Sequence, residues 1–170
     1  MLCTDELFHS GFNRKPGVVE YFELAHHTRG IRGVISTSSE QSVAVNYALH
    51  QQRGYVYAVE LNHGGKAVKT SVRGASLHEV ATLNIPPEDI IFAVGQFNGA
   101  DIGYHDLISK PNYRYRSAEL LINPHATATP EVATQAFERL KNTLKYDLSP
   151  EMSFAERYEN RADLLWHEDE

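Results

Sequence analysis

The chain has 170 residues, of which 42% are hydrophobic and 22% charged, a composition typical of one globular domain. Its formal net charge of −6 disfavours nucleic acid and anionic membrane surfaces as partners, and its apolar runs are shorter than the roughly 20 residues that span a bilayer. A single cysteine, Cys3, excludes an intrachain disulfide framework and a cysteine-rich zinc site.

Two short helices are predicted ahead of the first strand. Thr4 to Glu6 provide a cap and an acidic first turn, which the helix dipole favours. Gly11 is expected to end this helix, because glycine adopts the left-handed cap conformation at little cost. Residues 18–27 predict a second short helix.

A strand, a helix and a second strand are predicted next. Residues 34–36 are a β-prone run, and Ser38 has the position of a helix N-cap that accepts the N–H of Gln41 in a capping box. Gly54 is expected to end this helix. The aromatic and β-branched residues 55–59 then predict a strand.

Further strands are predicted over residues 67–72, 77–83 and 90–94. Pro86 and Pro87 separate the last two, because each proline removes a donor from a strand ladder. Residues 95–125 are irregular in pattern, and residues 113–116 predict one more strand within them.

Two helices are predicted at the C-terminal end. Thr129 caps the first, with Pro130 at its first position, and it is expected to extend to about Tyr146. Its apolar stripe consists of Val132, Ala136, Phe137, Leu140 and Leu144. Ser149 begins a second helix over residues 150–166. We predict that both helices dock on the sheets and carry no catalytic residue; the alternative is a partner-binding face.

Several common kinds of site are disfavoured by the motifs. The chain has nine histidines but no HExxH arrangement, so a metal site is not predicted. It also lacks a GxGxxG dinucleotide fingerprint, a P-loop and a GxSxG nucleophile elbow.

A set of short motifs occurs in a specific order over residues 4–95. They are Asp5-Glu6-Leu7-Phe8 before Gly11-Phe12, His26 in a loop, Ser36-Thr37-Ser38, Tyr55-Val56-Tyr57, and Glu79 followed by Ile85 to Ile90. Together they resemble the mono-ADP-ribosyltransferase toxins, and most closely the cholera and pertussis toxin group. The resemblance implies an α+β fold of two packed, mainly antiparallel β-sheets with flanking helices. Residues 1–128 would be the catalytic domain and residues 129–170 a helical extension packed on it.

The resemblance also implies an activity and a setting. NAD would be the donor substrate, and ADP-ribose would pass to a protein acceptor in a target cell. The protein would be a soluble toxin or bacterial effector, secreted or delivered into that cell with the help of a delivery or partner subunit. No secretory leader precedes Thr4, so the mature chain is expected.

Residue roles follow from the same resemblance. Glu79 would hold the ribose 2′-hydroxyl and stabilise the oxocarbenium-like charge that develops as the nicotinamide leaves. His26 would be the active-site histidine, Ser36 would brace Glu79, and Thr37 and Ser38 would support the NAD pocket. The plain alternatives are that Ser38 only caps a helix, that Thr37 is structural and that His26 is an ordinary histidine.

The chain departs from the family at two points. The family's first strand carries an arginine that grips the NAD phosphates, and here that strand is absent; Arg14, Arg29 and Arg32 are nearby substitutes. Leu77 stands where the family has a glutamate or glutamine that engages the acceptor, so arginine is disfavoured as the acceptor. Two alternatives therefore stay open: an inactive or truncated binding module of the same fold, and an NAD glycohydrolase.

Overall fold

A computed structural model describes residues 4–13, 35–49, 54–64, 66–67, 78–97, 119–144 and 153–167. These ranges contain four α-helices and six β-strands. In chain order they are α1 (Thr4–Ser10), β1 (Ile35–Ser38), α2 (Gln41–Leu49), β2 (Gly54–Val59), β3 (Lys66–Ala67), β4 (Glu79–Thr82), β5 (Ile90–Phe97), β6 (Glu119–Ile122), α3 (Pro130–Leu144) and α4 (Phe154–Glu159). None of the helices within these ranges is long and apolar enough to cross a membrane.

The strands form two antiparallel sheets of three strands each. The first sheet has the order β1-β4-β3, and the second has the order β2-β5-β6. In the first sheet Ser38 is paired with Glu79, and in the second Val56 is paired with Val94. The protein is therefore of the mixed α+β class, as the sequence predicted.

The larger core lies on one face of the second sheet. Phe92 and Val94 of β5 are fully buried there against α2, α3 and α4. The ring of Phe137 stacks on that of Phe154 at 4.4 Å, and both rings contact Phe92 edge-on. The prediction that the C-terminal helices dock on the sheets is thus confirmed for α3 and α4.

A smaller core lies on the opposite face of the second sheet and joins it to α1 and the first sheet. Its buried members are Phe8, Ile85, Ile90 and Ala93, with Ile35, Tyr55 and Tyr57 among the partly buried side chains around them. Along β2, Tyr55 and Tyr57 belong to the smaller core and Val56 and Ala58 to the larger one, because successive side chains of a strand point to opposite faces.

Gly11 allows α1 to lie close to the chain before β5. Its φ is +71°, and a Cβ at this position would lie 2.3 Å from the Ile85 carbonyl oxygen. The Gly11 N–H donates to Leu7 and ends the helix, as predicted. Phe12 then exchanges two backbone hydrogen bonds with Ile85, which fixes the end of α1 beside the segment between β4 and β5.

Two buried polar side chains hold the segment between β4 and β5. Pro86 and Pro87 lie in this segment, outside both strands, as predicted. Asn123 is fully buried, and its Nδ2 donates to the carbonyls of Pro87 and Ile90, both at 2.8 Å. Asp89 is 2% exposed and accepts hydrogen bonds from Asn62 and His63. Satisfied buried polar groups of this kind fix one arrangement of the turn.

Some predicted boundaries were wrong. Helix α2 begins at Gln41, because Ser38 stays extended in its pairing with Glu79, and Gly54 is the first residue of β2 rather than a helix cap. Strand β6 was not predicted; its apolar side chains Leu120 and Ile122 are buried in the larger core. Helix α4 begins after Ser153, whose hydroxyl accepts the Glu156 N–H at 3.3 Å. The predicted helix over residues 18–27, the predicted strand over residues 113–116 and the predicted cap at Ser149 lie outside the described residues.

Replacing Phe137 with alanine tests whether α3 is part of the folding unit. Phe137 is 2% exposed at the centre of the larger core, so Phe137→Ala should lower the free energy of unfolding by about 3–5 kcal/mol. Urea denaturation followed by circular dichroism measures the change. Glu138→Ala, an exposed neighbour, is the control and should change stability by less than about 0.5 kcal/mol. Equal, small effects of the two substitutions would contradict the docking of α3 as a stabilising element.

The contact between His63 and Asp89 should make stability depend on pH. The hydrogen bond from His63 Nδ1 to Asp89, 3.0 Å long, together with the carboxylate's charge, raises the pKa of the His63 imidazole above its usual 6.5. The stabilisation is then complete below about pH 6.5 and is lost as the pH rises through the folded-state pKa. Urea unfolding of the wild type and His63→Gln should differ more at about pH 5.5 than at about pH 8.5. Because the His63 side chain is 62% exposed, the difference should be small. An equal difference at both pH values would show that charging of His63 does not stabilise the fold.

Candidate functional site

Glu79 and Ser36 are brought together by the first sheet. Glu79 is the first residue of β4, and only 7% of it is exposed. Ser36 Oγ donates a hydrogen bond of 2.6 Å to Glu79 Oε1, a short distance typical of a hydroxyl on a carboxylate. Ser38 is paired with Glu79, and Ser36 lies two residues along β1 on the same face. The hydrogen bond expected from Ser36 is therefore present, and it fixes the orientation of the carboxylate.

Thr37 binds the neighbouring strand rather than Glu79. Its Oγ1 donates to the Val80 carbonyl at 2.7 Å, and Thr37 and Val80 are partners in the β1–β4 register. This contact adds a side-chain hydrogen bond to the strand pairing that carries Glu79. Its geometry fits the structural interpretation of Thr37.

Ser38 and Ser39 form the turn between β1 and α2. Ser38 Oγ accepts the Glu40 N–H at 3.0 Å, one residue earlier than the predicted capping box, in which Gln41 was the donor. The Ser39 N–H donates to the His78 carbonyl at 3.0 Å. The strand pairing therefore continues one step past Ser38, which delays the start of α2 and corrects the predicted cap geometry.

These residues lie along one open cleft of about 980 Å³. The sequence-predicted residues Glu79, Ser36, Thr37 and Ser38 all line it. The cleft is bordered by β1 and β4 of the first sheet, by β2 of the second sheet, and by α2 and α3. Its volume is in the upper range of small-molecule and cofactor sites.

One wall of the cleft is aromatic. The Tyr57 ring meets the Phe12 ring edge-on at 5.0 Å, and the Tyr55 ring lies 6.4 Å from Tyr57. Tyr55 lies against Gly95 of the adjacent strand, where a Cβ would come within 1.8 Å of the tyrosine ring. Gly95 therefore makes room for Tyr55, and the wall offers aromatic surfaces against which a flat heterocycle can stack.

The charges of the cleft are few. Two carboxylates line it, Glu79 and Glu60, together with one guanidinium, that of Arg139, among the residues that the structure describes. Arg139 is exposed on α3. No sequence motif indicated a role for Arg139, because an arginine on the polar side of an amphipathic helix usually only contacts solvent.

Other predicted site residues lie outside the described part of the chain. His26, the substitute arginines Arg14, Arg29 and Arg32, and Leu77 belong to this group. Within the described ranges, no group of three histidine, cysteine, aspartate or glutamate side chains could hold a metal ion.

The sequence was also compared with known proteins. No protein-family model matches the chain, and no curated protein matches it significantly.

Proposed function

We propose that the protein is a mono-ADP-ribosyltransferase that transfers ADP-ribose from NAD to a protein acceptor, with Glu79 as its catalytic carboxylate and an ADP-ribosyltransferase-like fold. The observation that carries the proposal is the 2.6 Å hydrogen bond between Ser36 and the buried Glu79, in a cleft bordered by two antiparallel sheets. The motif resemblance singled out both residues, which are 43 positions apart in the chain.

The geometry suits cleavage of an N-glycosidic bond. When the bond between ribose C1′ and the nicotinamide nitrogen breaks, the electron pair leaves with nicotinamide and positive charge develops on the ribose. A carboxylate held in place beforehand stabilises that charge without having to reorganise. Ser36 supplies this preorganisation for Glu79. The acceptor then forms a bond to C1′ and gives up its proton.

The remaining cleft residues suit the other parts of NAD. The wall formed by Tyr55, Tyr57 and Phe12 can stack against a flat aromatic ring. The phosphates need a cation, and Arg139 is the cation that lines the described cleft. We propose that Arg139 binds the phosphates in place of the family's first-strand arginine. Arg139 lies on α3, which was predicted to carry no catalytic residue, and the role proposed for Arg139 is in binding rather than in catalysis.

Two related functions use the same cleft. Attack by water in place of a protein side chain would make the protein an NAD glycohydrolase. Binding without bond cleavage would make it an NAD-binding module. The position of Glu79 in the cleft, together with its hydrogen bond from Ser36, favours turnover over binding alone, because a carboxylate oriented there can stabilise a developing positive charge.

Substitution of Glu79 tests the catalytic assignment. Glu79→Gln keeps the size of the side chain but removes its charge, so nicotinamide release from NAD should fall by about 10²–10³-fold while the melting temperature changes little. Nicotinamide release by Ser36→Ala should fall by about tenfold, because this substitution removes one hydrogen bond that orients Glu79. Glu131→Gln, on the exposed first turn of α3, is the matched control and should keep full activity.

NAD labelled in its adenylate half separates the alternatives. Label transfer to a protein in a cell lysate supports the transferase, and nicotinamide release without transfer supports the glycohydrolase. Calorimetric binding of NAD without release supports the binding module. If the wild type neither binds nor consumes NAD at millimolar concentration, the proposed function is wrong. Unchanged nicotinamide release by folded Glu79→Gln would remove Glu79 from the mechanism.

Substitution of Arg139 tests whether this residue binds the phosphates of NAD. Arg139→Gln removes a charge that acts on substrate binding, so KM for NAD should rise by about tenfold while kcat stays within about threefold. Lys141→Gln removes a charge from the same helix, at a position that does not line the cleft, and should leave both constants unchanged. If the two variants behave alike, Arg139 has no specific role in binding NAD.

A further inference from the structure

We infer that His78 is a positioning residue: its left-handed backbone conformation, held by Ser39, determines where the Glu79 carboxylate lies. The kinetic part of this inference rests on the proposed function, and the structural part does not. No sequence motif singled out His78, which directly precedes Glu79 in the chain.

The backbone of His78 is unusual. Its φ is +66°, and among the described residues it is the only one other than glycine with a positive φ. A side chain at such a φ crowds the backbone, so the conformation is uncommon outside glycine, asparagine, aspartate and histidine. A residue persists in it only when its surroundings demand the conformation, and such residues cluster at functional sites.

Hydrogen bonds from Ser39 hold His78 in this conformation. Its carbonyl oxygen accepts two hydrogen bonds from Ser39, one from the backbone N–H at 3.0 Å and one from Oγ at 3.4 Å. Ser39 directly follows Ser38, which is the strand partner of Glu79. The turn before β4 is therefore tied to the end of β1 at the place where the two strands begin to pair.

This tie controls the geometry of the site. The chain turns at His78 and enters β4 at Glu79, which places the Glu79 carboxylate 2.6 Å from Ser36 Oγ. A different φ at His78 would change the direction in which the strand starts, and Glu79 is the first side chain affected. A shift of about 1 Å in a catalytic group can cost about 10²-fold in rate.

The imidazole ring itself is not required by this arrangement. His78 is exposed, and its ring does not line the cleft. The role therefore belongs to the backbone of His78. Whether a substitution at this position preserves the role depends on whether the new residue tolerates a positive φ, and not on its side-chain chemistry. Glycine and asparagine tolerate it, whereas β-branched valine does not.

The test compares His78→Gly, His78→Asn and His78→Val in nicotinamide release from NAD. We expect kcat of the glycine and asparagine variants to stay within about threefold of the wild type, and kcat of the valine variant to fall by about 10²-fold with KM nearly unchanged. If the valine variant does not fold, His78→Ala takes its place, with a smaller loss of kcat. A merely structural role would lower the melting temperature of the valine variant and leave its kcat unchanged.

Two outcomes would overturn the inference. Loss of activity in the glycine and asparagine variants would assign the role to the imidazole ring, and full activity of a folded valine variant would show that the conformation is dispensable. If the wild type does not release nicotinamide, the proposed function fails separately. Crystal structures of the glycine and valine variants then decide the structural part: the Ser36–Glu79 hydrogen bond should survive in the first and be lost or lengthened in the second. An intact bond in both would refute it.

Discussion

The antiparallel pairing of β1 with β4 is the constraint on which the site depends. It brings together Ser36 and Glu79, which are 43 positions apart in the chain, so that the serine hydroxyl and the carboxylate lie side by side next to the turn that follows Ser38. Both strands have only four residues, and a strand pair of that length is marginal in water by itself. The pair is supported because Ile35 of β1, and Ile85 in the segment that follows β4, pack in the smaller core against the second sheet. The position of Glu79 is therefore a property of the whole fold.

The second sheet provides the rigid support. Strand β5 is buried along residues 90–95, with α2, α3 and α4 on one face and the first sheet on the other. Helices cover only one of its faces fully, so a cleft remains at β2, where Tyr55 and Tyr57 are still partly exposed. A well-packed layer beside a partly covered one gives an accessible site with a buried core behind its walls. Functional side chains need that combination to hold their geometry.

The sequence predicted those features that local chemistry determines. The Thr129-Pro130 start of α3, its apolar stripe and the break at Pro86-Pro87 were found in this way. The Ser36–Glu79 contact, between residues 43 positions apart, was implied only by the motif resemblance. Features set by long-range pairing were missed. Strand β6 is only four residues long and depends on β5, and Ser38 is held in the strand by Glu79 against its local preference for a cap. The positive φ of His78 has no signature in the sequence, because the residue is not glycine and its partner Ser39 lies 39 positions away.

The charge distribution limits how an anionic substrate can be held. The chain has a net charge of −6, and the described cleft lining carries two carboxylates against one guanidinium. Long-range attraction of a phosphate-bearing ligand is therefore weak, and the surface field opposes its approach. A phosphate-bearing ligand in this cleft would depend on short-range contacts: stacking on the aromatic wall, hydrogen bonds from the serine-rich turn and the proposed ion pair with Arg139. The stacking contacts would be weakened little by salt, whereas an ion pair with the exposed Arg139 would be screened. Such short-range contacts would also discriminate between ligands by shape, since a phosphate compound that lacks a flat ring could not stack on the aromatic wall.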